Sequence, residues 1–163
     1  MAHKTTISKD LAAKKLQVVR HFDAPVEKVW KAWTERELLD KWWAPKPWRA
    51  ETKTMDFQAG GLWLYAMVGP DGSRMFCRVD LIAVSPRQHF TARSVFSDEQ
   101  GNIDPSAPVM NWMVKFESAG AGVTIVTEIT FDTEADMKKI VEMGFEGGYT
   151  MGLGNLEELL AGQ

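Results

Sequence analysis

Residues 143–160 read MGFEGGYTMGLGNLEELL, and the fold turns on what this segment is. Tyr149, Leu153, Leu156 and Leu160 recur three and four residues apart, the spacing of one helical face. Glycine nevertheless stands at Gly144, Gly147, Gly148, Gly152 and Gly154. Each glycine inside a helix costs about 1 kcal/mol relative to alanine, against a domain stability of roughly 5–15 kcal/mol. Gly144, Gly148 and Gly152 follow one row, with Gly147, Met151 and Asn155 beside it. The segment therefore predicts a helix with an anchoring apolar stripe next to a stripe of little volume. Two arrangements suit such a helix. The glycines let it lie close against a sheet, or they leave a cavity roofed by Met143, Tyr149 and Met151. On spacing alone, close packing is the favoured reading, and the cluster also permits a kink.

Working outward, the segment before this helix supplies strands. In VTIVTEITF (123–131), Val123, Ile125, Thr127, Ile129 and Phe131 alternate with Thr124, Val126, Glu128 and Thr130. That alternation predicts a sheet with one buried face. GPDG (69–72), SPRQ (85–88) and AGAG (119–122) read as turns between apolar runs, and SDEQGNIDPSAP (97–108) reads as a long polar loop. KLQVVRHF (15–22) is a further strand. Asp23 and Pro25 then predict the start of one short helix. Thr34 and Glu37 form a capping-box pattern for a second, ended by Pro45 and Pro47. Thr133 with Asp136 predicts the cap of one long final helix. The order is strand, two short helices, about six strands joined by turns, and a long helix. Consecutive hairpins imply an antiparallel sheet, and only the last helix is long enough to cover it.

A chain of 163 residues fits one domain. The expectation is a flexible N-terminal tail over 1–14 followed by a single domain over 15–163. With 19 basic and 22 acidic residues the net charge is −3, which leaves no basic field for nucleic acid. Cys77 is the only cysteine, so no intramolecular disulfide can form. The N-terminal stretch lacks an apolar signal core, and no run approaches 18 apolar residues. The expectation is a cytoplasmic protein without membrane insertion. Seven tryptophans and nine methionines imply large, adaptable apolar surfaces, in core or pocket.

FDAPVEKVWKAWTERELLDKWWAP (22–45), DFQAGGLWLYAMVGPDG (56–72) and GGYTMGLGNLEELL (147–160) occur in this order. Together they resemble the entry, the central hairpin and the terminal helix of the activator of heat-shock protein 90 ATPase homologue-like family. This family belongs to the START-like, SRPBCC superfamily. The resemblance runs over roughly 18 to 160. It departs at Tyr149, where the family pattern has tryptophan, and at CRVDLIAVSP (77–86), which replaces a segment carrying a glutamate. The resemblance implies an α+β helix-grip (Bet v 1-like) fold of about six to seven antiparallel strands curved around a long C-terminal helix. Two short helices follow the first strand. It also implies a hydrophobic cavity between sheet and helix, which reverses the balance between packing and cavity reached from spacing.

The ligand-contact candidates are Trp63, Tyr65 and Met67 on one strand face and Trp112, Val114 and Phe116 on another. Met143, Gly144, Gly148, Tyr149 and Met151 join them from the helix. The row Leu62, Leu64, Ala66 and Val68 opposite is also apolar, so a covering loop or a dimer interface is expected there. Trp42 and Trp43 read as anchors of the short helices, with a pocket rim as the alternative.

Catalytic patterns are missing from the sequence. His3, His21 and His89 have no metal-ligand spacing, and no G-x-S-x-G or phosphate-binding loop occurs. Cys77 is expected as a buried, inert thiol. Asp56, Asp80, Arg93 and Glu128 are the polar strand residues to place, since a carboxylate in the cavity would be a candidate base. Glu128 is expected on the more exposed face, paired with arginine. The function expected is a non-catalytic module for a small hydrophobic or amphipathic ligand, with no cofactor and no metal. The alternatives are a co-chaperone-like module acting on a heat-shock protein 90 type chaperone, or a cyclase- or hydrolase-like enzyme. A homodimer and that chaperone are the candidate macromolecular partners.

Overall fold

The computed structural model describes residues 4–162. In chain order it runs β1 (Thr6–Asp10), β2 (Lys15–Phe22), α1 (Val26–Thr34), α2 (Arg36–Trp42), β3 (Arg49–Met55) and β4 (Leu62–Val68). Then follow β5 (Arg74–Ser85), β6 (His89–Ser97), β7 (Val109–Ala119), β8 (Gly122–Phe131), α3 (Glu134–Glu142) and α4 (Phe145–Ala161). All eight strands form one antiparallel sheet in the order β1-β2-β8-β7-β6-β5-β4-β3. From β3 to β8 the chain is a meander. The first hairpin joins it on β8, so α1 and α2 span from one half of the sheet to the other. Register shifts at Thr52/Thr54 and Leu81/Ala83 mark irregularities of the kind that bend strands. The curved sheet grips α4, which is the helix-grip fold expected, with one strand more than the six to seven read from the sequence.

The alternation in β8 holds: Val123, Ile125, Thr127, Ile129 and Phe131 are buried. β2 buries the matching row Leu16, Val18, Arg20 and Phe22. Arg20 reaches Thr5 Oγ1 at 3.0 Å and Glu157 of α4 at 3.3 Å, which ties the sheet edge to the helix. α1 packs its Trp30 and Trp33 against Phe90 and Phe116, with ring centroids 5.0 to 6.5 Å apart. This fills one end of the concave face.

Several local readings need correction. Residues 6–10 lie in the segment expected to be a tail, yet they pair with β2 along its free edge. Met1 to His3 lie outside the described residues. The N-cap of α1 is Pro25, with no side-chain cap. Glu35 precedes α2, and the Thr34 hydroxyl donates back to the Trp30 carbonyl at 2.9 Å. Its side chain is thereby committed to the helix it ends. Thr133 does cap α3, accepting from the Asp136 amide at 3.0 Å. The long final helix is two helices, broken at Gly144, whose φ of 86° leaves the helical region.

The outer face of β4 is covered from within the chain. Leu64, Ala66 and Val68 are buried within the single chain, and the loop after β6 lies against Leu64. Gly101 approaches Leu64, and its carbonyl accepts from Arg78 at 3.0 Å. At Leu64 the expected covering loop is present.

Candidate functional site

The other end of the concave face is not filled. Small residues on β6 are part of the reason, because Ala92 and Ser94 lie between Phe90 and Phe96 on the inward row. Ala92 stands opposite Trp112 and Ser94 opposite Met110. Beneath α4 this leaves a cleft of about 380 Å³, within the range of small-molecule sites. β4 contributes Tyr65 and Met67, β5 Met75 and Cys77, and β6 Ser94, Val95 and Phe96. Met110 and Trp112 come from β7, Trp43, Pro45 and Trp48 from the segment after α2, and Pro108 from the loop before β7. Ile140, Met143 and Gly144 at the helix break, with Phe145, Gly148 and Tyr149, close the roof.

The glycines divide by position. A Cβ on Gly152 would stand 3.1 Å from the Trp43 carbonyl and 3.4 Å from that of Trp42. This glycine permits close packing. Asn155, one turn on, donates to the carbonyls of Ala44 at 3.1 Å and Trp42 at 3.4 Å. It thereby satisfies backbone acceptors left over at the end of α2. A Cβ on Gly148 would meet only Pro45 Cγ at 3.7 Å, and Gly148 opens into the cleft. Gly147 and Gly154 face outward with nothing within 4 Å. Both arrangements weighed for this helix thus occur, one turn apart.

Tyr65, Met67, Trp112, Met143, Gly144, Gly148 and Tyr149 all border the cleft. Trp63 stacks on Tyr65 at 4.3 Å but borders a smaller inner void. Val114 and Phe116 lie on the same face as Trp112, further along β7. They are buried in the core, where Phe116 meets α1, and do not reach the cleft. Met151 is half exposed on the outer side of α4, beside Ile7, Gly147 and Gly154 in a shallow groove of about 610 Å³. That groove is larger, but it lies on the outer surface, away from the aromatic wall. Sequence reasoning missed the contributions of β5, β6 and α3. The Trp pair splits: Trp42 is an anchor, donating to the Ala32 carbonyl at 2.8 Å, whereas Trp43 borders the cleft.

None of the residues bordering the cleft is charged. Burial pushes the Cys77 thiol up to about 11, against the opposing effect of its hydrogen bond with Tyr65. Burial raises Tyr65 well above its ordinary value. Its hydroxyl accepts from Trp43 Nε1 at 2.9 Å. Burial raises Tyr149 too, and its hydroxyl pairs with Thr127 at 2.7 Å. The polar strand residues are engaged elsewhere. Asp80 pairs with Arg78 at 2.8 Å, and Arg93 with Asp132 at 3.0 Å. Glu128 is half-buried and meets Lys15 at 3.7 Å, a lysine where arginine was expected. Asp56 accepts from Gln58 at 3.1 Å. Among the described residues no group of three or more His, Cys, Asp or Glu could hold a metal ion. No helix among them is long and apolar enough to cross a membrane.

This architecture recurs in solved structures. The protein from Arthrobacter aurescens is 30% identical, with a TM-score of 0.91, covering 97% of this chain and 92% of that one. Protein Ms6760 from Mycobacterium smegmatis is 25% identical with a TM-score of 0.89, covering 96% and 97%. A Staphylococcus epidermidis protein is 29% identical with a TM-score of 0.84, covering 96% and 93%. Among curated proteins none matches. The family model described as Activator of Hsp90 ATPase homolog 1-like protein matches residues 23–161, and the chain belongs to that family.

Proposed function

We propose that this protein is a non-catalytic binding module that holds a small apolar molecule between sheet and α4. The observation that carries this reading is the composition of the cleft. Seven aromatic and four methionine side chains border a space of about 380 Å³ with no charged group among them. Aromatic rings supply large contact areas and methionines adapt to irregular shapes. An acid–base reaction needs a titratable group within reach of the reacting atom. Asp80 and Glu128 are held in ion pairs away from the cleft, and burial keeps the Cys77, Tyr65 and Tyr149 protons on, so none of the three offers a base at neutral pH.

Native mass spectrometry of the purified protein under gentle activation tests this, followed by titration with apolar probes. The expected result is a dissociable extra mass or saturable probe binding. Gly148→Leu is expected to weaken probe binding at least tenfold while leaving the unfolding midpoint nearly unchanged, since only Pro45 lies near the new Cβ. Loss of stability without loss of binding would count against the reading. The family description supports a second reading, action on an Hsp90-type chaperone. Unchanged chaperone ATP turnover in the presence of the protein would remove it. The same mass spectrum distinguishes monomer from homodimer.

A further inference from the structure

Trp112 stands in the wall between the cleft and a small inner void of about 20 Å³, and borders both. It is 8% exposed, and its indole Nε1 is fully buried without a hydrogen-bond partner. Trp33 borders the same void, and its Nε1 is likewise buried and unpartnered. Apart from the Ser94 hydroxyl, which borders both spaces and can donate or accept, the side-chain polar groups nearby are already matched. Trp63 Nε1 donates to Thr52 Oγ1 at 3.1 Å, Trp43 Nε1 to the Tyr65 hydroxyl, and Tyr149 pairs with Thr127. What this end of the cleft has in surplus is donors.

Buried donors are ordinarily paired, and each exception calls for an explanation. An indole N–H can only donate, so its missing partner must be an acceptor. The absence of any cation in the cleft wall argues against a carboxylate or phosphate, whose buried charge would go unpaired. We infer that the ligand is a neutral apolar molecule carrying a carbonyl or ether oxygen, and that Trp112 Nε1 donates to that oxygen at the inner end of the cleft. The void beside it has room for about one such atom. This inference rests on the binding-module reading and narrows it to a ligand class.

The test compares three probes of one size: 2-acetylnaphthalene, 2-isopropenylnaphthalene, and 2-naphthoic acid. The second replaces the carbonyl oxygen by a CH2 group at nearly the same shape. Affinities are measured for the native protein and for Trp112→Phe, which removes the donor and keeps a ring. The ketone is expected to lose about 3- to 10-fold more affinity on substitution than the hydrocarbon does. In the native protein the ketone, but not the hydrocarbon, is expected to move the Trp112 indole N–H signal downfield in a nitrogen–proton NMR spectrum. That second measurement stands even where Trp112→Phe folds poorly. Equal losses for both probes, with the indole signal unmoved, would overturn the acceptor site and leave the apolar module standing. Tighter binding of the acid than of the ketone would overturn the neutral class. Failure of all three to bind would overturn the module itself.

Discussion

At the scale of single residues, α4 shows why glycines in one helix are not equivalent. Gly152 and Gly154 have the same propensity deficit, but different surroundings decide its sign. Gly154→Ala adds a methyl into open space and is expected to raise stability by about 0.5–1 kcal/mol, the helix-interior difference between the two residues. Gly152→Ala gains the same propensity but presses a methyl on two carbonyls at the end of α2. Asn155 holds the Trp42 carbonyl and that of Ala44, on either side of the Trp43 carbonyl, so this backbone cannot simply move away. Its stability is expected at or below that of the native protein. Urea unfolding with unchanged m-values reads both differences. A gain for Gly152→Ala equal to that for Gly154→Ala would mean that the close contact is not a constraint.

At the scale of elements, the break between α3 and α4 sets where the cleft opens, because Met143 and Gly144 lie on its border. The left-handed conformation at Gly144 costs an alanine about 1–2 kcal/mol, with no steric contact to add to it. Gly144→Ala is therefore expected to lower stability by about that amount and Gly144→Asn by less, since asparagine tolerates this region better. Denaturant unfolding of the two variants checks the order. The glycine cluster permitted a kink, but a break at Gly144 was not legible in the sequence, because a glycine within a helix and a glycine that ends one look alike in a single chain. β1 was hidden for a different reason. TISKD has almost no buried side chain, and its strand exists because the edge of β2 offers backbone partners. By contrast, β8 and the Leu153–Leu156–Leu160 stripe were legible, because each buries a regular row. For the site, periodicity told which face of a strand points inward but not how far along the strand the cleft lies. That is why Trp112 reaches the cleft while Val114 and Phe116, on the same row, sit in the core. Ser94 and Cys77 came into view only once the register of β5, β6 and β7 was known.

At the scale of the whole molecule, the apolar cleft makes folding sensitive to alkali. Cys77 borders it, and burial raises the thiol from an ordinary value of 9.0 to about 11. As pH rises above 9, the unfolded chain releases this proton while the folded protein retains it. The unfolded state then binds fewer protons, so stability must fall with pH. The slope approaches about 1.4 kcal/mol per pH unit, which is a loss of ~1 kcal/mol by pH 10 and ~2–3 kcal/mol by pH 11. Stability from this group is thus complete below the unfolded value and is lost through the interval up to the folded one. Tyr65 and Tyr149, both raised by burial, add the same trend about one pH unit later than Cys77. Cys77→Ala leaves those tyrosines buried and removes the thiol. It is expected to start from a somewhat lower stability at pH 8, because a small void replaces the sulfur. Between pH 9 and 10 its stability should then decline clearly less than that of the native protein, because only the tyrosines still contribute. Chemical unfolding at half-unit steps from pH 8 to 10.5 separates the two profiles. Parallel declines would mean that water reaches the thiol in the folded state, and that the floor of the cleft is wetter than its lining implies.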